Sequence, residues 1–316
     1  MKLFCFGLGF SALALARELK AEGWTVAGTV RSADKQAKLK GEGIETYVFD
    51  GTAAMENALQ ALAGTTHLLD SIPPQPDMPA PPVFWHGGDL AALEDLVWAG
   101  YLSTTGVYGD HGGGRVNEDT PAAPTMDRSR RRAEAEEMWL MMAERYGMPV
   151  HIFRLAGIYG PGRGVLRQVQ SGRAKRVVKP GQVFSRIHVD DIIQVLRASM
   201  AQIRPGRIYN VCDDEAEAPD KVVAYVCDLL GLEPPPETPF DEADLSDMAK
   251  SFYRDNKRVD NSRIKDELGV RLRFPSYRDG IPADLAKTAD GGPSTPSPLD
   301  GEGRGEGSRV SARKDA

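Results

Sequence analysis

Cysteine is scarce. Three thiols, Cys5, Cys212 and Cys227, are spread over 316 residues with no C-x-x-C spacing. That distribution excludes a disulfide framework and a thiolate metal centre, and places the three as buried thiols of a reducing compartment. No stretch approaches ~20 consecutive apolar residues, so no transmembrane helix is expected. Positive charge is also short: 39 Lys and Arg against 45 Asp and Glu leave a net charge of −6. A nucleic acid or an anionic membrane needs a basic face, so neither is an expected partner. Basic clusters do occur at Arg128–Arg132 and Arg173–Lys179, the second reading as a solvated face. The five histidines, His67, His86, His111, His151 and His188, show no metal-ligand spacing on any one element. The chain opens directly on a strand pattern that leaves no room for a signal peptide, so a cytoplasmic location is expected.

What is present is an alternation. Lys2–Phe6, Thr25–Val30, Glu45–Phe49, His67–Ser71, Leu96–Ser103 and Val150–Leu155 are short runs rich in Val, Leu, Ile and Phe. Between the first four lie helix-period segments at Ser11–Glu22, Ala33–Gly41 and Met55–Ala63. A β-α-β-α series implies an α/β fold, a doubly wound parallel Rossmann sheet with helices on both faces. Past Leu155 the pattern loosens. Strands at Val183–His188 and Arg207–Val211 flank a helix at Asp190–Ala201, and helices follow at Asp220–Leu230 and Ser262–Leu268. The expected organisation is a dinucleotide-binding domain over residues 1–160, completed by 183–215, with a smaller C-terminal substrate lobe over 161–287. Residues 288–316, rich in Gly, Pro and Ser, bury too little apolar surface to offset their ordering entropy and read as a disordered tail.

The first strand runs into Gly7-Leu8-Gly9-Phe10-Ser11-Ala12, which opens a helix. Gly7 permits the tight turn, Gly9 lets the backbone approach a pyrophosphate, and Ala12 lets helix pack closely on strand. The phosphates would sit on free N–H groups at the positive end of the helix dipole. Strand, turn, helix and second strand all fall within ~30 residues, the context that gives a G-x-G-x-x-A its meaning. Where NAD-selective sites carry Asp or Glu after the second strand, this chain has Arg31 and Ser32, followed by Lys35. A guanidinium forks onto a phosphate, so NADP is the expected cofactor and NAD the alternative. The other reading of Arg31 is a side chain stacked on adenine or turned to solvent. Asp50, Ser71 and Ser103, at the ends of the third, fourth and fifth strands, complete the candidate cofactor contacts with Gly7, Gly9, Phe10, Ser11, Ala12, Arg31 and Ser32.

Beyond this turn the order of motifs resembles the extended short-chain dehydrogenase/reductase superfamily, and within it an atypical epimerase/dehydratase-like branch. Leu102-Ser-Thr-Thr-Gly-Val-Tyr-Gly109 resembles its SS-x-x-VYG segment, and Arg154-Leu-Ala-Gly-Ile-Tyr-Gly-Pro-Gly162 its R-x-x-N-x-YGPG segment. Ile187-His-Val-Asp-Asp191 is similar to I-H-V-x-D, and Tyr209-Asn-Val211 to a later YNV strand. The resemblance covers the chain to about Lys287. It implies hydride chemistry in which a Ser or Thr holds the substrate oxygen and a Tyr, its pKa lowered by a Lys four residues on, moves the proton. Thr104, with Ser103 beside it, takes the Ser/Thr role.

The Tyr–Lys pair has no counterpart. Anchoring the helix after Pro124 on Glu136 puts Arg132 at the lysine and Arg128 at the tyrosine; anchoring on Glu134 gives Arg130 and Met126. Arginine stays protonated and cannot act as a base. Gly157 also stands where sugar-nucleotide enzymes of the family have a substrate-contacting Asn. The candidate catalytic residues are therefore Thr104, Arg132 and Tyr108, the last as a replacement acid with His111 behind it. The competing reading makes Tyr108 a pocket wall and Asp110-His111-Gly112 a turn. Asp190 reads as a helix N-cap, His188 as a satisfied strand-end residue, and Asp213-Asp214-Glu215 as a solvated turn. Two functions follow. One is an NAD(P)-binding oxidoreductase or nucleotide-sugar epimerase/dehydratase-like enzyme whose substrate is a small molecule, a nucleotide sugar or another carbonyl compound. The other is a non-catalytic NADP-binding sensor.

Overall fold

The computed structural model describes residues 1–289, and the expected tail at 288–316 lies almost wholly outside them. Seven strands form one parallel sheet: β1 (Lys2–Phe6), β2 (Thr25–Val30), β3 (Glu45–Val48), β4 (His67–Asp70), β5 (Trp98–Thr104), β6 (Val150–Leu155) and β7 (Ile208–Val211). Their order across the sheet is β3-β2-β1-β4-β5-β6-β7, every neighbouring pair parallel. The order reverses between β1 and β4, so a crevice opens at the carboxyl ends of those two strands, where ligands bind such sheets.

Both faces of the sheet are covered, which is why β1 reads as an unbroken apolar run. Leu3 and Cys5 point to one side, packed with Leu15 and Leu19 of the helix Phe10–Ala21 and with Ile192 and Leu196 of the helix Val189–Ala201. Phe4 and Phe6 point to the other, against Leu90 of the helix Pro81–Ala91 and Trp139 of the helix Asp127–Tyr146. The close approach of β1 and β2 depends on Gly28, where a Cβ would lie 2.6 Å from the Cys5 carbonyl oxygen. The three cysteines are buried thiols. Among the described residues no helix is long and apolar enough to cross a membrane.

The helix Pro81–Ala91 is absent from the sequence-based set. Its two prolines occupy the first turn, where no intrahelical N–H is required.

After β6 the chain builds the smaller lobe. Tyr159, Leu166, Val223, Val226, Tyr277 and Ile281 form its own apolar cluster. The helices Val165–Gln170, Pro219–Leu229 and Tyr277–Ala289 carry most of that cluster. Short parallel pairs brace it, among them Gly157–Tyr159 with Arg186–His188, a shorter strand than the expected Val183–His188.

Two expectations are corrected here. The cap of the helix Val189–Ala201 is His188, not Asp190: His188 Nδ1 accepts the Asp190 N–H at 3.0 Å while Nε2 faces Asp284 Oδ1 at 3.1 Å. Asp213 is not in a solvated turn. It is 3% exposed, and burial pushes its carboxyl up to about 8. Asp214 and Glu215 do reach outward, to Lys265 and Arg278.

Candidate active site

The glycine turn is built for a ligand that needs backbone donors. Gly7 has φ +81°, and a Cβ there would meet Ile72 Cγ1 at 3.0 Å, so only glycine suits the position. Its N–H donates to Thr29 Oγ1 at 2.8 Å, and its carbonyl accepts from Ser71 Oγ at 2.5 Å, pinning the turn to β2 and to the end of β4. Gly9 caps the helix Phe10–Ala21 without a side-chain bond, and no acid stands in the first turn. Helical bonding begins with Leu13 N–H to the Gly9 carbonyl, so the N–H groups of Phe10, Ser11 and Ala12 precede it. A Cβ on Gly9 would meet only Ser71 Oγ, at 3.8 Å. The space over Gly9 is open, and the donors and dipole beside it fit a dinucleotide pyrophosphate.

Gly9, Phe10, Ser11, Ala12 and Ser71 all line one cleft of about 900 Å³. Arg31, Ser32 and Asp50 lie outside its wall, at the ends of β2 and β3. Arg31 is exposed. Ser32 is the N-cap of the helix Ala33–Gly41, its side chain accepting from Lys35 N–H. Asp50 accepts from both the N–H and the hydroxyl of Thr52, at 2.9 and 2.7 Å, and the first of these bonds holds its carboxyl below the usual range. Ser32 and Asp50 each shape their own turn, and both remain exposed at the strand ends beside Arg31.

At the end of β5 the chain turns sharply, and Thr104 caps that turn by accepting the Gly106 N–H at 3.1 Å. This leaves the Thr104 hydroxyl proton available to donate into the cleft, which Thr104 lines. Its neighbours serve the scaffold. Ser103 Oγ donates at 2.5 Å to Glu136, which also receives Arg154 through bonds of 2.7 to 3.2 Å. All three residues are at most 5% exposed. Ser103 thus lies on the cleft wall with its hydroxyl engaged by the helix through Glu136. Tyr108 is the larger correction. Its ring is fully buried against the Arg154 guanidinium at 4.8 Å, and its hydroxyl donates to Asn210 at 2.7 Å. Burial pushes the phenol up to about 12, away from a working acid, because the nearby Arg154 charge does not offset its desolvation. His111 is held on the Tyr108 carbonyl at 3.1 Å, and Asp110 accepts the Gly112 and Asn256 N–H groups, so this segment is the turn of the competing reading.

The helix Asp127–Tyr146 forms the next wall. Arg128, Arg131 and Arg132, spaced i, i+3 and i+4, all line the cleft. Arg132 donates to the Leu102 carbonyl at 2.8 Å and to the Tyr101 hydroxyl at 3.1 Å, which places its charge beside the end of β5. Arg128 lies over the Phe252 ring at 4.2 Å. Lys175, Arg186 and Lys257 also line the cleft, as does Arg163, which lies over the Phe10 ring at 5.2 Å. Among the described lining residues the one carboxylate is Asp255, which already accepts from Thr125 at 2.6 Å and lies 3.7 Å from Lys257. A chain of net charge −6 therefore gathers a strongly cationic cavity.

Sequence reasoning missed most of that wall. Arg128 and Arg132 came from a motif count, but Arg131 had a signal of its own, the i, i+3 spacing within a basic run. Phe252 ends the short helix Asp247–Phe252 and Asp255 and Lys257 follow it in irregular chain, so no period marks them and only the fold brings them to the cleft.

The sequence profile of the NAD dependent epimerase/dehydratase family matches residues 94–212. Protein YeeZ of Escherichia coli (strain K12) is 29% identical over 289 residues, covering 87% of this chain and 96% of its own. The solved structure of a functionally unknown conserved protein from Silicibacter pomeroyi is 48% identical, with a TM-score of 0.83 over 90% of this chain and 98% of that one. DesIV, a dTDP-glucose 4,6-dehydratase from Streptomyces venezuelae solved with NAD and TYD bound, shares the fold at a TM-score of 0.76 and 17% identity, over 92% of this chain and 97% of that one. A parallel Rossmann sheet, a glycine turn at its switch point, the ordered motifs and these relatives converge: the chain belongs to the NAD-dependent epimerase/dehydratase family of extended short-chain dehydrogenase/reductases.

Proposed function

We propose that the protein is an NADP-using enzyme, with NAD the alternative cofactor, acting on an anionic small-molecule alcohol or carbonyl compound of the nucleotide-sugar class. The observation that carries this reading is that one cavity joins the open glycine turn, the Thr104 hydroxyl and a lobe rich in cations. Gly9, Phe10, Ser11 and Ala12 would hold the pyrophosphate, and Arg31 the 2′-phosphate. A nicotinamide dinucleotide supplies hydride-transfer chemistry when bound. The smaller lobe, built around Tyr159, Leu166, Val226 and Tyr277, would close over the substrate. Nucleotide sugars are what the named dehydratase relative acts on, and a diphosphate matches the cationic wall.

Thr104 donates to the substrate oxygen, its own lone pair already engaged by Gly106 N–H. Arg132, fixed on the Leu102 carbonyl, places a permanent positive charge next to that oxygen. Because a guanidinium does not give up its proton, Arg132 stabilises negative charge on the oxygen and moves no proton itself. A second reading, a cofactor-binding sensor without turnover, is favoured by the arginines that stand at the Tyr and Lys positions.

A panel of nucleotide sugars and simple carbonyl compounds with NADPH decides between them. Thr104→Ala should lower turnover about 10²–10³-fold while NADPH affinity stays within about twofold, since the hydroxyl acts on the transition state. Tyr108→Phe should keep its turnover, its phenol being buried on Asn210. Normal NADPH binding with a blank wild-type panel would establish the sensor reading instead.

A further inference from the structure

The helix Asp127–Tyr146 begins in a way that stability alone does not explain. Arg128, Arg130, Arg131 and Arg132 crowd its first two turns, at the positive end of the helix dipole, where cations are unfavourable. Like charges at i, i+3 and i+4 add mutual repulsion. Arg130 has an answer: it points to solvent and pairs with Asp127. The other three line the cleft, and the acids whose charge acts on them, Asp255 on Arg128, Asp127 on Arg131 and Asp70 on Arg132, form no ion pair with them among the described residues. Arg128 rests on Phe252 and the Met248 sulfur, and Arg132 on a carbonyl and a phenol. Arg131 Nε is buried with no hydrogen-bond partner. A buried donor left unmatched is a standing cost that a missing anion would remove.

We propose that Arg128, Arg131 and Arg132 form a substrate oxyanion site, taking a carboxylate or phosphoryl group carried close to the reacting carbon. The site lies beside Thr104, in the place where the family keeps its proton-moving pair. The inference rests on the function proposed above and narrows its substrate class: the molecule bears an anionic group at the reacting end as well as any phosphates held by the far wall. Planar guanidinium forks suit such a group better than lysines would. Asp255, the one acid among the described lining residues, accepts from Thr125 through Oδ1, while its Oδ2 lies 3.7 Å from Lys257.

The test is calorimetric titration of the full-length protein with sodium oxalate and, separately, inorganic phosphate, in the presence of saturating NADPH. Binding of either anion is expected, and the arm that binds distinguishes a carboxylate from a phosphoryl group. Arg131→Gln should weaken it about tenfold to a hundredfold, the value of one charge-assisted contact. Arg130→Gln removes the same charge from the outer face of the same helix and should leave anion binding unchanged. Without anion, Arg131→Gln should melt at or above the wild-type temperature, because repulsion is relieved; a large fall would mean that Arg131 is structural and would overturn the proposal. Equal weakening by both variants, anion binding to neither salt, or competition between the anion and NADPH would overturn it too, the last by giving the arginines to the cofactor's phosphates. Failure of the wild type to bind NADPH at all would instead remove the proposed function, and anion binding without cofactor would still report on the arginines.

Discussion

The two sides of the cleft offer different kinds of donor to a negatively charged ligand. On the β1 side the donors are backbone N–H groups at a glycine turn, with Ser11 and Ala12 buried and the Arg163 guanidinium 5.2 Å over the Phe10 ring. On the helix and lobe side they are guanidinium and ammonium groups delivered by segments more than a hundred residues apart. A backbone site depends on conformation, so few residues satisfy it and it reads as a motif. A side-chain site depends on placement, so the same cavity can be re-equipped residue by residue while the scaffold stays. On the proposed function, cofactor binding and substrate chemistry should then be separable, and each variant below should disturb one side and spare the other.

The largest effect should come from Glu136. It joins Ser103 of β5, Arg154 of β6 and the arginine-bearing helix in one buried network. Removing its carboxylate leaves the Arg154 charge unpaired in a site only 5% exposed. Breaking such a pair typically costs about 3–5 kcal/mol. Glu136→Ala should therefore lower the denaturation midpoint sharply. The milder Glu136→Gln should remain folded, bind NADPH nearly as wild type, and lose turnover as the arginine face shifts. Equal losses of NADPH affinity and turnover would show that the two sides are not separable.

Arg31 tests the other side. Its exposed position after β2 and the absence of an acid there motivate tighter binding of NADPH than NADH. Arg31→Ala should erase most of that difference, about 1.5–3 kcal/mol or tenfold to a hundredfold in Kd. Fluorescence titration reads it directly. Equal wild-type affinities for the two cofactors would mean that Arg31 does not meet the ribose phosphate.

This contrast also accounts for what could be read from the residues alone. The sheet was legible because burial on both faces writes itself as apolar runs: β1, β2 and β6 match the expected spans residue for residue. The glycine turn was legible for the reason given above. Thr104 was found by its place in a motif, and it does line the cleft. Tyr108 was misjudged by the same reasoning, since adjacency in sequence says nothing of which side of a turn a ring will occupy, and here Val107 and Tyr108 turn inward onto Asn210 and Arg154. Ser103 and Ser71 occupy equivalent strand ends on the cleft wall, yet the hydroxyl of one is engaged by Glu136 and that of the other by the Gly7 carbonyl. Such choices are made by partners tens of residues away, and no local pattern records them.

Two buried acids, one on each side, give the smallest and most selective test. Burial pushes Asp70, beneath the β1–β4 crevice, up to about 7, although it accepts from Trp139 Nε1 and the Ile72 N–H. Asp213, beneath the lobe, is pushed up to about 8 by burial, with Arg186 opposing, and its Oδ2 has no hydrogen-bond partner. A carboxyl with a raised folded pKa keeps its proton in the native state after the unfolded chain has lost it. Between about pH 4 and the folded pKa the unfolded state thus binds fewer protons, and stability falls as pH rises. For Asp213 the window runs from about 4 to about 8; for Asp70 it closes near 7. Asp213→Asn mimics the neutral acid and removes its share of the fall. The variant should match wild type near pH 4, gain on it steadily, and keep a constant advantage above pH 8. Raising a carboxyl's pKa tenfold in proton affinity is worth about 1.4 kcal/mol, and relaxation with water entry takes back most of the raw sum, so an advantage of about 1–2 kcal/mol is expected. Urea midpoints measured from pH 4 to pH 9 give the curve. A difference that stays flat across that range would mean that Asp213 is ionised in the native protein, held by Arg186, and that the lobe compensates its buried charge as fully as the nucleotide side does.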